Sequence, residues 1–429
     1  MTGAADIGAA VEFTESERAF RAEAREWLRA HAPGRLPSMD TSAGAVAHRE
    51  WEAELAADGW SVIAWPARYG GRDASLTEWV IFEEEYYLAG APTRIAQNGI
   101  SLLAPIILGH GTDDQRDTLL PSIADGTTVW AQAWSEPEAG SDLAAIRSRA
   151  VRTDGGWLLS GQKIWSSRAP FADSGFGLFR SGRAADSRAE GSVGRHRDLT
   201  YFLFPLDAQG IAVRPIRQLD GDAGFAEIFF DDVFVPDSGV LGAVGQGWSV
   251  AMSTAGNERG LSLRSPGRFL AAADRLLTLW RERGHVAPEP GANPETWSDA
   301  KANHWSDAKA NHWSLRDRVV DAWIAAHAYQ LYTWGTVDRI ESGGSVGSEG
   351  SVNKLFWSQL DIALHETGLE LLGPEQELLG PHAPDAGRWV EDHLFAVAGP
   401  IYAGTNEIQR NIVAERVLGL PRGDNARRT

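Results

Sequence analysis

The chain has 429 residues, and 40 Lys and Arg stand against 58 Asp and Glu, a formal net charge of −18. That length suits two or three packed domains, and 43% hydrophobic against 23% charged residues argues against wholesale disorder. The acidic balance disfavours a phosphate-backbone partner, and the absence of cysteine excludes disulfides, thiolate nucleophiles and Cys-ligated metal.

Residues 1–11 carry no basic residue and no long apolar run, so a secretory signal is not expected and a cytoplasmic location is. The longest apolar stretch, residues 102–108, falls far short of the roughly 20 residues needed to span a bilayer. The 18 tryptophans are an unusual share and are expected mostly in cores and interfaces.

The first element is predicted as a helix. Thr14 and Glu17 have the spacing of a capping box, and Phe20, Ala24, Trp27 and Leu28 share one face at helical period, until Pro33 and Gly34 stop it. Further helices are predicted over residues 49–57 and 76–88, separated by the turn at Trp65-Pro66-Ala67-Arg68-Tyr69-Gly70-Gly71, and in pieces over 100–120. Near Val129 the pattern changes. Residues 149–165 alternate on either side of Asp154-Gly155-Gly156, a hairpin signature, and 201–205, 211–216 and 226–235 read as further strands. The Gly-, Ser- and Arg-rich residues 181–197 read as a mobile loop. After Gly247 helical periodicity returns and runs to about Gly419. The expected domains are 1–127 (helical), 128–240 (β) and 241–429 (helical bundle).

Inside the last block an octapeptide, Trp297-Ser298-Asp299-Ala300-Lys301-Ala302-Asn303-His304, is repeated identically from Trp305 to His312. Two copies are too few for a solenoid. An inserted loop or helix extension over 297–312 is expected rather than a metal site at His304 and His312, and no metal is expected elsewhere.

Three stretches carry candidate chemistry. Gln132-Ala133-Trp134-Ser135-Glu136-Pro137-Glu138-Ala139-Gly140-Ser141-Asp142 reads as an exposed loop after a strand, rich in hydroxyl and amide donors. Gly161-Gln162-Lys163-Ile164-Trp165-Ser166-Ser167 reads as a half-buried strand with Trp165 in the core. In Gly399-Pro400-Ile401-Tyr402-Ala403-Gly404-Thr405-Asn406-Glu407-Ile408-Gln409-Arg410, Gly404 and Thr405 can cap a helix running to Leu418. Such a helix start suits an anion or a ring carbonyl.

In this order, between two helical blocks, the three stretches resemble the acyl-CoA dehydrogenase family over nearly the whole chain. The resemblance implies an α+β fold: an N-terminal helical domain, a middle β-barrel-like domain and a C-terminal four-helix bundle, assembled as a tetramer around FAD. It implies that Gln132, Trp134, Ser135, Gly140 and Ser141 line one side of the flavin and that Ser141 also faces the substrate thioester. Trp165 and Ser167 would cover the other side, and Thr405 and Glu407 would reach the cofactor from the last helix. Donors at the carbonyl edge of such a ring stabilise the anion left by hydride transfer.

The general base departs from the commonest family pattern. Where many members place Glu before the Gly-Thr pair, this chain has Ala403. Other members carry the Glu on an earlier helix beside an Arg, and Asn257-Glu258-Arg259-Gly260 matches that place. Glu258 is therefore the candidate base and Arg259 a neighbour that holds the substrate region, against a bland alternative in which Glu258 pairs with Arg259 or Arg264 at the surface. Ala403 would enlarge the cavity near the acyl α-carbon, and its N–H could polarise the thioester carbonyl.

The expected reaction is α,β-dehydrogenation of an acyl thioester, on coenzyme A or an acyl-carrier protein, with an electron-transfer flavoprotein or similar acceptor. The Arg-x-x-Phe-Gly motif that reaches a neighbour's FAD pyrophosphate in many members is absent. Leu371-Leu372-Gly373-Pro374-Glu375 stands where others have a Gly-Gly turn, and Ala255 and Gly256 replace larger residues. Two alternatives follow: a non-catalytic or half-site subunit of a heterotetramer, and a flavin-dependent monooxygenase, against which Glu258 weighs.

Overall fold

The computed structural model describes the backbone of residues 12–182, 196–259, 266–283, 299–344, 347–348 and 350–421, and their side chains except at 254–259 and 299–313. In chain order it has α1 (Glu15–His31), α2 (Ser42–Ala57), α3 (Leu76–Leu88), a π-helical turn (Asn98–Leu103), α4 (Ala104–His110) and α5 (Asp113–Ala124). The strands follow: β1 (Trp130–Ala133), β2 (Arg149–Thr153), β3 (Gly156–Ser167), β4 (Ser174–Arg180), β5 (Leu199–Pro205), β6 (Ile211–Ile216), β7 (Phe225–Pro236) and β8 (Val240–Leu241). Helices α6 (Gly247–Arg259), α7 (Pro266–Arg283), α8 (Asp299–Glu341), α9 (Gly350–Leu372), α10 (Arg388–Ala396) and α11 (Asn406–Ile412) complete the chain, with a π-helical turn over Val413–Val417.

Two units pack separately, one of residues 31–79 and 91–263, the other of 1–30, 80–90 and 264–429. They cut across the sequential thirds, because α1 and most of α3 pack in the unit of the C-terminal helices.

In the first unit the strands run in the order β6-β7-β3-β2-β4-β5-β8, with β1 parallel to β4. The β2–β3 hairpin turns at Asp154-Gly155, where Gly155 has φ +71°, as the sequence pattern predicted. One sheet face buries Trp157, Leu159, Phe179, Phe202, Phe204 and Phe230. Phe179 and Phe230 meet edge to face, with ring centroids 5.1 Å apart; burying each such ring stabilises by about 1.5–3 kcal/mol. The other face packs Trp130, Phe176, Leu178 and Tyr201 on Leu102, Leu103, Ile107 and Ile123 of the helices. Strand β4 was not anticipated. It is buried along nearly its whole length, so it shows no alternation, and two glycines weaken its strand signal. At Gly177 a Cβ would strike the Ala133 carbonyl, so glycine lets β1 approach β4 closely.

In the second unit, α1 starts with the predicted capping box: Glu17 N donates to Thr14 Oγ1 at 3.2 Å and Thr14 N to Glu17 Oε2 at 2.7 Å. Ala24 and Leu28 are fully buried on the predicted face. Glu84 of α3, 1% exposed, accepts from Arg21 of α1 at 3.0 Å and from Gln330 and Trp334 of α8 at 2.9 Å each. Phe269, Leu276, Ala326, Tyr329 and Leu364 form the core of α7, α8 and α9. The repeat, from Asp299 onward, forms the first turns of α8, a helix extension; Trp297 and Ser298, like the imidazoles of His304 and His312, lie outside the described residues, as do residues 183–195 of the loop expected to be mobile.

Candidate active site

The first two candidate stretches meet in one unit. Strand β1 places Trp130, Gln132 and Trp134 on the helix-packed face, because side chains alternate along a strand. The chain then turns sharply: Glu136 and Ala139 exchange backbone hydrogen bonds at 3.1 and 3.0 Å, which leaves Gly140 and Ser141 exposed. Opposite, β3 carries a bulge. Its register against β7 shifts between Lys163 and Ser166, so Ile164 and Trp165 together oppose one residue. The freed Ile164 N–H donates instead to the Ser135 carbonyl at 2.9 Å. Ser135 is thereby tied to the residue just before Trp165, although 29 positions separate it from Ile164 in sequence.

The bulge also corrects the expectation that Trp165 is a core residue. Trp165 takes a left-handed backbone, φ +60°, and is 57% exposed, its ring at 81° to that of Phe225 with centroids 6.2 Å apart. A left-handed non-glycine residue turns its side chain off the regular pleat. Ser166 takes the buried place instead, while Ser167 is half-buried and pairs with Phe225 in β7.

Behind these residues lies a buried ion pair that the sequence reading did not single out. Lys163, 0% exposed, stands 2.9 Å from Glu136 Oε1, and its Nζ also donates to the carbonyls of Leu178 at 2.8 Å and Trp134 at 3.3 Å. Glu136 accepts in turn from Arg147 N at 2.5 Å and Ser148 N at 2.9 Å. Burial pushes the Glu136 carboxyl up, but the Lys163 charge and the amide donors outweigh it and hold it below the ordinary range. Burial lowers the Lys163 ammonium to about 8, opposed by Glu136. The available signal was a lone cation at an inward position of a strand.

Two buried donors on the β1 face, Gln132 Nε2 and Trp134 Nε1, have no hydrogen-bond partner among the described residues. A buried donor left unmatched costs about 1–3 kcal/mol, so both suit an acceptor-bearing ligand. Trp165 adds a flat, uncovered aromatic face.

The third stretch belongs to the other unit. Thr405 is the N-cap of α11, its Oγ1 accepting from Ile408 N at 3.3 Å. The helix runs to Ile412 and continues as the π-helical turn rather than as one α-helix to Leu418. Glu407 is exposed in the first turn, where the helix backbone and Thr405 lower its carboxyl pKa. Ala403 holds φ +56°, and Gln409, fully buried, donates to its carbonyl at 2.9 Å. Asn406 Oδ1 accepts from buried Lys354 at 2.8 Å and from Ser358 at 3.2 Å. Glu258 and Arg259 form the last turn of α6; their side chains lie outside the described residues.

Three family models match the chain: the acyl-CoA dehydrogenase N-terminal domain over residues 14–127, the middle domain over 131–233 and the C-terminal domain over 291–418. The acyl-CoA dehydrogenase IpdE1 of Mycolicibacterium smegmatis is 35% identical over 421 residues, 94% of this chain and 97% of that protein. FadE34 of Mycobacterium tuberculosis is 33% identical over 92% of this chain and 50% of its own length. Among solved structures, the ChsE4–ChsE5 complex from Mycobacterium tuberculosis superposes with a TM-score of 0.77 at 27% identity, covering 96% of this chain and all of that one. This chain therefore belongs to the acyl-CoA dehydrogenase family, FAD-dependent oxidoreductases that act on CH–CH bonds.

Proposed function

We propose that this protein dehydrogenates an acyl thioester at its α,β-carbons, with Glu258 as general base. One observation carries the assignment of the cofactor wall: the Ile164–Ser135 hydrogen bond ties the Ser135 loop to the bulge of β3 that exposes Trp165. Unmatched donors at Gln132 and Trp134 fit the acceptor-rich edge of the FAD ring, and the bare Trp165 fits its flat face. Gly140, Ser141 and Ser167 extend this wall, while Thr405 and Glu407 are assigned to the cofactor from family likeness.

FAD, when bound, supplies the acceptor for a hydride from the β-carbon. The chain's own residues prepare the other half of the reaction. From family likeness, the Ala403 N–H is assigned to the thioester carbonyl, where a donor acidifies the α-proton, and Ser141 to the thioester arm. Glu258 accepts that proton, with Arg259 beside it. Ala403, lacking a carboxylate, leaves this task to α6. The enoyl thioester then leaves, and an electron-transfer flavoprotein or similar partner reoxidises the enzyme.

The substrate is an acyl-CoA or an acyl-carrier thioester, and steroid-derived acyl groups come first for trial. A structure described as a steroid acyl-CoA dehydrogenase variant superposes with a TM-score of 0.78 at 26% identity. A second reading has a specific support. The ChsE4–ChsE5 structure is a complex of two different chains, and this sequence lacks the Arg-x-x-Phe-Gly motif, so a paired subunit could complete the FAD site of a tetramer.

The test is anaerobic titration of the purified protein with straight, branched and steroid-ring acyl-CoAs, following bleaching of the visible flavin band. Bleaching by one class, with enoyl product, supports the dehydrogenase. A protein that is colourless alone and gains flavin only with a second chain supports the paired assembly. A coloured protein that no thioester bleaches overturns the proposal.

A further inference from the structure

We propose that the Lys163–Glu136 pair is a positioning element for the cofactor, fixing the distance between Ser135 and Trp165 and through it the affinity for FAD. The inference rests on the reading that these two residues face the flavin.

The geometry is that of a clamp. An ammonium has three donor directions, and those of Lys163 go to Trp134 O, Glu136 Oε1 and Leu178 O. Its neighbour Ile164 donates to Ser135 O. Two consecutive residues of β3 thus hold three consecutive residues of the loop, and the next residue of β3 is Trp165. The Glu136 carboxylate extends the hold to the amides of Arg147 and Ser148, just before β2. Ser135 is tied on both sides, and the bulge that presents Trp165 begins where the clamp ends.

An apolar pair of the same volume would fill this space without the desolvation cost of two ions, and such replacements are often neutral or stabilising. What the ions add is direction. Their short hydrogen bonds fix where the loop carbonyls point, which packing alone leaves loose, and a cofactor wall displaced by a fraction of an ångström loses much of its binding energy. Lys163 and Glu136 touch neither substrate nor flavin in this account; they act through Trp134 and Ser135.

The experiment titrates deflavinated protein with FAD, following fluorescence quenching and the shape of the visible absorption band. Lys163→Met is expected to weaken FAD binding by about tenfold and to blur the shoulder of that band, with the far-UV circular dichroism unchanged. Glu136→Gln, which keeps the shape and one acceptor oxygen, is expected to show a smaller loss, roughly threefold; it carries the test if Lys163→Met does not fold. Leu159→Ala, a fully buried change on the same strand, is the control: it lowers Tm and is expected to leave FAD affinity within about twofold.

The proposal is overturned if the Lys163 and Glu136 variants bind FAD like the wild type, or if Leu159→Ala weakens binding as much as they do. Ser135→Ala and Trp165→Ala separate the two levels of the argument. If neither shifts FAD affinity or spectrum, the wall assignment fails and the clamp with it. If both shift and Lys163→Met does not, only the clamp fails.

Discussion

Gln409 Nε2 donates to the carbonyl of Ala403 at 2.9 Å across the turn that opens α11, and Ala403 takes the left-handed backbone, φ +56°. The side chain of one residue holds the strained backbone of the other. Gln409→Leu is expected to destabilise the fold by about 1 kcal/mol, read as a lower urea midpoint. Ala403→Val should cost more, about 1–2 kcal/mol, because a β-branched residue resists positive φ. A wild-type midpoint for both would show that this turn is not held.

Glu258→Gln tests the base directly. If Glu258 takes the α-proton, anaerobic reduction of the bound flavin by the best thioester should slow by about two to four orders of magnitude, while FAD content stays at the wild-type level. A loss of only a few-fold would place the base elsewhere.

His365 sits between two carboxylates in the helical unit, 3.3 Å from Asp361 and 3.6 Å from Asp392. Burial pushes its pKa down, but the Asp361 and Asp392 carboxylates beside it prevail and raise it, while its Nδ1 lies 2.8 Å from the Asp361 backbone carbonyl. Arg268 on Asp361, and Arg275 and Arg388 on Asp392, complete the cluster. A histidine whose folded pKa is raised stabilises most at pH values below its unfolded pKa of about 6.5, and that stability is lost as pH rises through the folded value. The melting temperature should therefore fall across this window, and in His365→Gln the slope should flatten. An identical slope in the variant would assign the effect to other groups.

Gly368 lies buried in α9 against the Trp389 ring of α10, and a Cβ there would fall inside that ring's contact distance. In an open helix Gly→Ala gains about 1 kcal/mol. Here the rigid indole must move, so Gly368→Ala is expected to destabilise by about 1–3 kcal/mol. Gly335 of α8, with nothing within 4 Å of its Cβ position, is the contrast: Gly335→Ala should be neutral or stabilising. Denaturant midpoints of the two variants decide it.

What was legible in the sequence was what neighbouring residues settle between themselves. The Thr14–Glu17 capping box, the Asp154-Gly155 turn and the Thr405 cap each form within a span of a few residues, so their signatures are local. The bounds of α3 and β6 followed in the same local way from the turn residues that flank them. Strand β4 escaped because it is buried on both faces and carries Gly175 and Gly177, which leaves neither alternation nor strand propensity to read. Lys163 and Glu136 were visible only as members of motifs, for a lysine in a strand reads as solvated until its inward side is known.

The sequence by itself determined the local elements, the order of the three motifs and, through them, the family. Only the tertiary structure decided that Ser135 and Trp165 share a hydrogen-bonded corner, that Trp165 faces outward, and that Lys163 closes on Glu136 from 27 positions away. The reason is physical: a cap or a turn is stabilised by bonds among residues already adjacent. A bulge or a buried ion pair takes its meaning from the strand the sheet brings alongside it, and the strand order is set by the packing of the whole unit.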